Sequence, residues 1–251
     1  MMSQLSVWRG SNETTALTFR RRLLACCAVF AALASGTAGA QELRYSWLDL
    51  SFTAQDVDRQ GIQQTPVPGQ TTELDASDGD GVRFRGSFGT WHNLYAFGEY
   101  TSSDIDADVV VRNDQGDFPA ADEFDLTTIR GGIGWRFPVA FATDLYAELA
   151  FDSIDYDFGS FAGESFDADN QDVGGSLGIR HMLNDDIELY AYGRYSNHAD
   201  LDLDTLEFDA GEFYGAGFVW EIVRGLSLVA DFESGEITTW AVGFRLDLDE
   251  D

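Results

Sequence analysis

Asp172–Ser196 reads DVGGSLGIRHMLNDDIELYAYGRYS, and its reading decides the fold. Val173, Gly175, Leu177 and Ile179 form one register, small and apolar, while Arg180 falls on the other. Leu183–Asp186 supplies a short polar turn, and a second alternating run follows, carrying Glu188 and Arg194. Side chains that alternate with period two belong to strands, and two such runs joined by a short turn form a hairpin.

The same texture recurs outward in both directions. Ten runs alternate: Arg44–Asp56, Gly81–Thr90, Leu94–Ser103, Phe124–Arg136, Asp144–Ile154, Asp172–Met182, Ile187–Ser196, Glu212–Ile222, Leu226–Ser234 and Thr238–Leu248. Capped stretches of helical period do not appear. Short connections (Trp91–Asn93, Phe137–Thr143, Leu183–Asp186, Val223–Gly225) alternate with long ones (Val57–Asp80, Asp104–Glu123, Asp155–Gln171, Asn197–Gly211). The last hairpin, Gly235–Ile237, breaks the alternation. Strands of about ten residues with short turns at one end and long loops at the other are the pattern of an outer-membrane barrel. The expected fold is all-β, an up-and-down antiparallel transmembrane β-barrel of ten strands, with eight as the alternative. A soluble sandwich has no reason to alternate its loop lengths.

One face of the runs is apolar: Leu48, Leu50, Phe52 and Ala54; Ile129, Ile133 and Trp135; Leu145, Leu149 and Phe151; Trp240, Val242, Phe244 and Leu246. This face belongs to lipid, where a charge costs about 2–4 kcal/mol at mid-bilayer. The other register carries Asp49, Arg83, Arg85, Glu99, Arg130, Glu148, Asp152, Arg180, Glu188, Arg194, Asp231, Glu233 and Arg245. Basic strands lie between acidic ones, so adjacent strands are expected to pair. Arg83 and Arg85 would meet Asp49 and Glu99, Arg130 would meet Glu99 or Glu148, and Arg245 would meet Asp231 or Glu233. The expectation is a lumen plugged by ion pairs. An open charged pore is the alternative.

Residues 1–40 read as an export signal, with Arg20–Arg22 as basic region, Leu23–Ala34 as apolar stretch and Ala38–Ala40 as cleavage site. Residues 41–251 are then the barrel domain, exported through the periplasm to the cell outer membrane. Removal of the signal takes both cysteines, Cys26 and Cys27, so disulfides and thiolate metal sites are excluded from the mature domain. Four Arg and one Glu leave with it, so the net charge moves from -29 to -32. Such a surface repels nucleic acid.

The long connections hold about twenty-two acids against Arg59 and Arg112. Asp75, Asp78 and Asp80, in DASDGDG, form the best local oxygen cluster and a weak calcium or magnesium candidate, without EF-hand spacing. No other cofactor is expected. Divalent ions bridging loop carboxylates to one another or to lipopolysaccharide are the broader expectation. Among three histidines, His92 lies in a short turn, His181 on the lipid register, and His198 near the outer rim. The Ser196–His198 stretch lacks the spacing general-base catalysis requires. An enzyme is therefore not expected, and a lipid-modifying hydrolase is the least-weighted alternative. The aromatics Tyr45, Trp47, Trp91, Trp135, Tyr195, Tyr214, Trp220 and Trp240, near run ends, are expected in an interfacial girdle.

Tyr45–Asp58 (YSWLDLSFTAQDVD), Asp78–Phe88 (DGDGVRFRGSF), Asn93–Ser103 (NLYAFGEYTSS), Gly131–Gly134 and Glu212–Gly217 (EFYGAG) resemble the proteobacterial small outer-membrane β-barrel proteins, nearest the xanthomonad-type secreted or quorum-sensing-linked barrels. The resemblance covers nearly all of the mature chain. It implies a monomer, a structural or surface-interaction role, contact with outer-membrane lipid, and delivery by the barrel assembly machinery. Proteins of that kind end on an aromatic residue. This chain ends Leu246–Asp251 (LDLDED), which leaves Phe244 as the nearest aromatic for that signal.

Overall fold

The computed structural model describes residues 43–64, 71–90, 93–113, 116–161, 164–202, 207–235 and 237–248. The export signal lies outside them. Ten strands form: β1 (Trp47–Gln64), β2 (Thr71–Gly89), β3 (Leu94–Asn113), β4 (Gly116–Ala140), β5 (Thr143–Phe161), β6 (Glu164–Met182), β7 (Ile187–Asp202), β8 (Glu207–Val223), β9 (Leu226–Ser234) and β10 (Thr238–Asp247). Each pairs antiparallel with its sequence neighbours, and β1 pairs with β10, from Trp47↔Asp247 to Asp56↔Thr238, closing the barrel. Closure removes the free edges that an open sheet would present to lipid.

The turns at the short end are built locally. Asn184 Oδ1 accepts from the backbone N–H groups of Asp186 and Ile187, both at 2.9 Å, and fixes the β6–β7 turn. Arg224-Gly225 makes the β8–β9 turn, with Gly225 at φ 76°, in the left-handed region that glycine enters at least cost.

The wall is taller than runs of about ten residues imply. The first eight strands are 16 to 25 residues long, and only β9 and β10, at 9 and 10, match that length. Most of the stretches expected as long loops are strand continuations. The reason is a change of phase. Near the short end, odd residues of β5 such as Leu149 and Phe151 face outward and exposed, while Glu148 and Asp152 face inward. Farther out the parity persists but the chemistry reverses: Ile154 and Tyr156 are buried inside, and Asp155 and Asp157 are exposed outside. β3 does the same, with Ile105 and Ala107 inside and Asp104 and Asp106 outside. β4 places Phe124 and Leu126 inside and Asp125 outside.

The barrel thus has two storeys. The lower is inside-out, with an exposed apolar belt that includes Phe52, Ile133, Leu149, Leu177 and Phe244. That belt faces hydrocarbon, and the chain spans a membrane as a β-barrel. The upper storey has an ordinary interior: Val57, Ala76, Ile105, Ala107, Phe124, Leu126, Ile154 and Tyr156 form one buried cluster, with Ile237 packed against it. The wall is lowest at β9 and β10. There β8 pairs with β9 only as far as Tyr214↔Ser234 and β1 with β10 only to Asp56↔Thr238, while β1 and β2 remain paired to Gln64↔Thr71.

Candidate functional site

The lumen of the lower storey is where charge is concentrated. Asp49 and Asp231 are its two hubs. Asp49, 1 % exposed, accepts from Arg85 at 2.7 Å and faces Arg245 at 3.4 Å. Asp231 accepts from Arg83 at 2.6 Å, Arg85 at 3.0 Å and the Tyr190 hydroxyl at 3.0 Å. A second group joins Arg130 to Glu148 at 3.7 Å and Asp152 at 3.8 Å, with Ser176 donating to Glu148 and accepting from Arg130. Arg194 and Tyr192 both donate to Glu233. Nearer the short end Arg180 holds Glu188 with two bonds, at 2.6 and 2.8 Å, and Arg44 holds Asp247 at 2.9 Å.

All thirteen charged residues expected on the lumen register face this interior, but the partners differ. Arg83 reaches across the lumen to β9 rather than to β1 or β3, and Arg245 meets Asp49 rather than Asp231 or Glu233. Two physical reasons account for this. An arginine side chain is long enough to span a narrow barrel, and closure makes β1 and β10 neighbours despite their sequence distance. Glu99 stands in register with Arg85 and Arg130. It feels Arg83, Arg85 and Arg194 electrostatically, yet has no hydrogen bond or direct ion pair among the described residues.

Aromatic residues complete the network, and sequence reasoning missed them. Tyr45 and Trp47, expected in the girdle, point inward: the Arg180 guanidinium lies 4.4 Å from the Tyr45 ring, and that of Arg245 3.8 Å from the Trp47 ring. Such stacks contribute about 0.5–2 kcal/mol each. The Tyr45 hydroxyl donates to Asp144 and that of Tyr95 to Glu148. The signal was available as parity, since Tyr45, Tyr95, Tyr146, Tyr190 and Tyr192 share the register of the charges. Trp135, Tyr195, Trp220 and Trp240 do lie exposed on the outer face, and Trp91 lies outside the described residues.

Four of these tyrosines lie over glycines directly across the ladder: Tyr95 over Gly134, Tyr146 over Gly178, Tyr190 over Gly217 and Tyr192 over Gly215. A ring laid flat on the neighbouring strand fills lumen space that an upright side chain would leave open.

What remains is small. A cavity of about 120 Å³ lies among Tyr45, Tyr95, Tyr146 and Tyr190, and one of about 90 Å³ lies above it. Glu99, Arg130, Arg194 and Glu233 line both. A third, of about 40 Å³, sits near Arg44 and Asp247.

Outside, the acids above the belt fall into a cross-strand row. Asp80 pairs in register with Asp104, Asp104 with Asp125, and Asp125 with Asp157. Asp75, Asp78 and Asp80 are exposed on β2, with a register shift between Ala76 and Gly79 separating the first from the last. Among the described residues no group of three or more His, Cys, Asp or Glu is arranged to hold a metal. Partial desolvation, a hydrogen bond shared with Asp104, and repulsion from Asp104 and Asp157 raise the pKa of Asp125 above its ordinary 3.8. A carboxyl raised in the folded state opposes folding above its folded pKa, and that opposition fades as pH falls through it toward the unfolded value. The upper storey should therefore gain stability on mild acidification. Hydrogen exchange at β3 and β4 amides, corrected for intrinsic rates, should slow as pH falls from neutral toward 3.8, and faster exchange would contradict the repulsive row.

Of the histidines, His181 is buried at the short end, with Nδ1 2.8 Å from the Thr143 hydroxyl. His92 lies outside the described residues, as does the side chain of His198.

No family model and no curated protein matches the chain. Among solved structures, it is similar to the translocator domain of autotransporter NalP from Neisseria meningitidis (14% identity, 97% of this chain and 99% of that one, TM-score 0.43). It is also similar to the β domain of the Bordetella autotransporter BrkA (13%, 81% and 99%, 0.47) and to the outer membrane protein OprG from Pseudomonas aeruginosa (10%, 82% and 98%, 0.41).

Proposed function

We propose that the chain is an outer-membrane barrel with a closed lumen, acting as a structural or surface-interaction protein without catalysis. The observation that carries this is double closure: a charge-paired, aromatic-filled lower lumen beneath an apolar upper cluster. The two seals use different physics. Ion pairs hold arginines and carboxylates fixed across the narrow section, and the apolar cluster excludes water and ions above it. The tall hairpins face outward from the cell and the short turns face the periplasm, as in barrels of this type. The row Asp80–Asp104–Asp125–Asp157 then stands just above the hydrocarbon, where divalent ions would join it to phosphates of lipopolysaccharide, collectively and without a tuned site. Assembly as a monomer by the barrel assembly machinery accords with this reading.

A narrow channel is the second reading, favoured by one observation: the 120 and 90 Å³ cavities share four lining residues and so approach one another end to end. Planar-bilayer recording separates the two. The closed reading expects no steady conductance from the folded protein in 1 M salt. It also expects that Leu126→Ser together with Ile154→Ser, which wets the upper cluster, opens no more than rare events while the lower network stands. A steady ohmic step from the unmodified protein would overturn it.

A further inference from the structure

The 90 Å³ cavity sits at the storey boundary, and its wall is divided by chemistry. Its floor carries Arg83, Arg130 and Arg194 with Glu99, Asp152 and Glu233, three charges of each sign. Its roof is apolar, from Leu126, Ile154, Phe213 and Ile237. The floor is not internally satisfied. Arg83 Nε, Arg130 Nη1, Arg194 Nε and both carboxylate oxygens of Asp152 are buried without a hydrogen-bond partner among the described residues, and half-buried Glu99 makes no hydrogen bond among them. Leaving a buried charged group without hydrogen bonds is costly, so such atoms mark a place where a partner of the opposite kind is held.

We propose that this cavity binds a small zwitterion with a short aliphatic body, its anionic group on the arginines and its cationic group at Asp152 and Glu99. A simple ion of either sign would meet three like charges in the same space. A zwitterion meets free donors with acceptors and free acceptors with donors. The roof receives the aliphatic part, where contact with Leu126 and Ile154 replaces contact with water. Size agrees: at 10–15 Å³ per water-sized position, 90 Å³ holds roughly six to nine such positions, close to the non-hydrogen atoms of a five-carbon zwitterion.

Access comes from the low side of the wall. Glu233 is the last residue but one of β9, Thr239 is the second of β10, and Ile237 lies between the two strands; all three line the cavity and are partly exposed. A ligand entering over this tip passes Ile237, at the edge of the apolar cluster, and does not cross the charge-paired lower lumen, so the site goes beyond the closed-lumen reading and requires only its lower seal.

The test compares three probes of similar carbon skeleton: L-valine, isovalerate without the ammonium, and isobutylamine without the carboxylate. Binding is read by titration calorimetry and by unfolding temperature on the full barrel in detergent. Valine should bind saturably, and each single-charge analogue about tenfold more weakly or worse, since losing one charged hydrogen-bond partner costs at least 1.4 kcal/mol. Ile237→Trp should abolish valine binding while the heat-modifiable gel shift stays intact, because it fills the entrance without touching the charges. Asp152→Asn should weaken valine but not isovalerate; where that variant fails to fold, Ile237→Trp decides alone. Equal binding of valine and isovalerate would mean an anion site, and absence of saturable binding would mean that water alone fills the cavity. Valine binding unaffected by Ile237→Trp would place the ligand elsewhere. Each of those three outcomes overturns the proposal.

Discussion

Asp231→Ala should lower the stability of the folded barrel by about 3–5 kcal/mol, the range for removing one member of a buried charge network. Asp231 is 5 % exposed and takes hydrogen bonds from Arg83, Arg85 and Tyr190. Among the described residues, its loss leaves Arg83 without a direct anionic partner and Arg85 with Asp49 alone. The measurement is unfolding in urea with the heat-modifiable gel shift as readout, and Arg112→Ala is the comparison. Arg112 and Asp117 form a pair 3.5 Å apart, both well exposed, and exposed pairs contribute 0–1 kcal/mol. Adding Arg83→Met to Asp231→Leu should recover much of the loss, because two apolar groups of similar size bury no unpaired charge. An Asp231→Ala barrel as stable as the parent would mean that the lumen is hydrated enough to dissolve the network.

Gly132→Ala should be among the most damaging single methyls in the wall, while Gly131→Ala, one residue away, should be nearly silent. The two differ only in the face they present. A Cβ on Gly132 would lie 2.0 Å from the backbone carbonyl oxygen of Leu149 on β5 and 2.9 Å from Ala150 Cα. Backbone cannot rotate away as a side-chain tip does, so β4 and β5 must separate there. A Cβ on Gly131 points outward and meets its nearest neighbour, the Phe97 carbonyl oxygen, at 3.6 Å, an ordinary contact. The expected cost at Gly132 is about 3 kcal/mol, at the top of the usual range for overpacking. It should appear as a lost fraction of heat-modifiable folded protein on refolding into detergent. Equal tolerance at both positions would show that the strands can flatten there.

The lower storey was legible because its alternation is uninterrupted. In Leu145–Phe151 every second residue is apolar, and the residues between include Glu148, so parity assigns each side chain to lipid or lumen. The ten strands and the thirteen charged residues of the lumen register follow from that parity. The upper storey was not legible by the same rule. In Asp104–Val109 the sequence DIDADV still alternates, but acids have moved to the outer parity and aliphatics to the inner one. A rule that equates apolar with outward reads that change as the end of the strand. Pairings across the lumen were hidden for another reason, since parity says that Arg83 and Asp231 both point inward but not that they meet. The cavity beneath the apolar cluster was equally hidden, because its floor and roof come from strands far apart in sequence.

The change of phase within the strands also gives the barrel a fixed waterline. Its position is written into β2 to β5 as the residue at which parity exchanges its chemistry, between Val82 and Asp80 on β2 and between Phe151 and Asp155 on β5. Strand length therefore says nothing about how much of the wall lipid covers. A thicker or thinner bilayer cannot be accommodated by sliding the barrel along its axis: upward motion exposes Val82 and Phe151 to water, and downward motion drives carboxylates into hydrocarbon. The bilayer must deform to meet the protein. Shifting the exchange by one two-residue period on one strand would move it by about 6–7 Å along the strand and the waterline by about 5 Å at the usual barrel tilt, enough to pucker the surrounding lipid on that side alone.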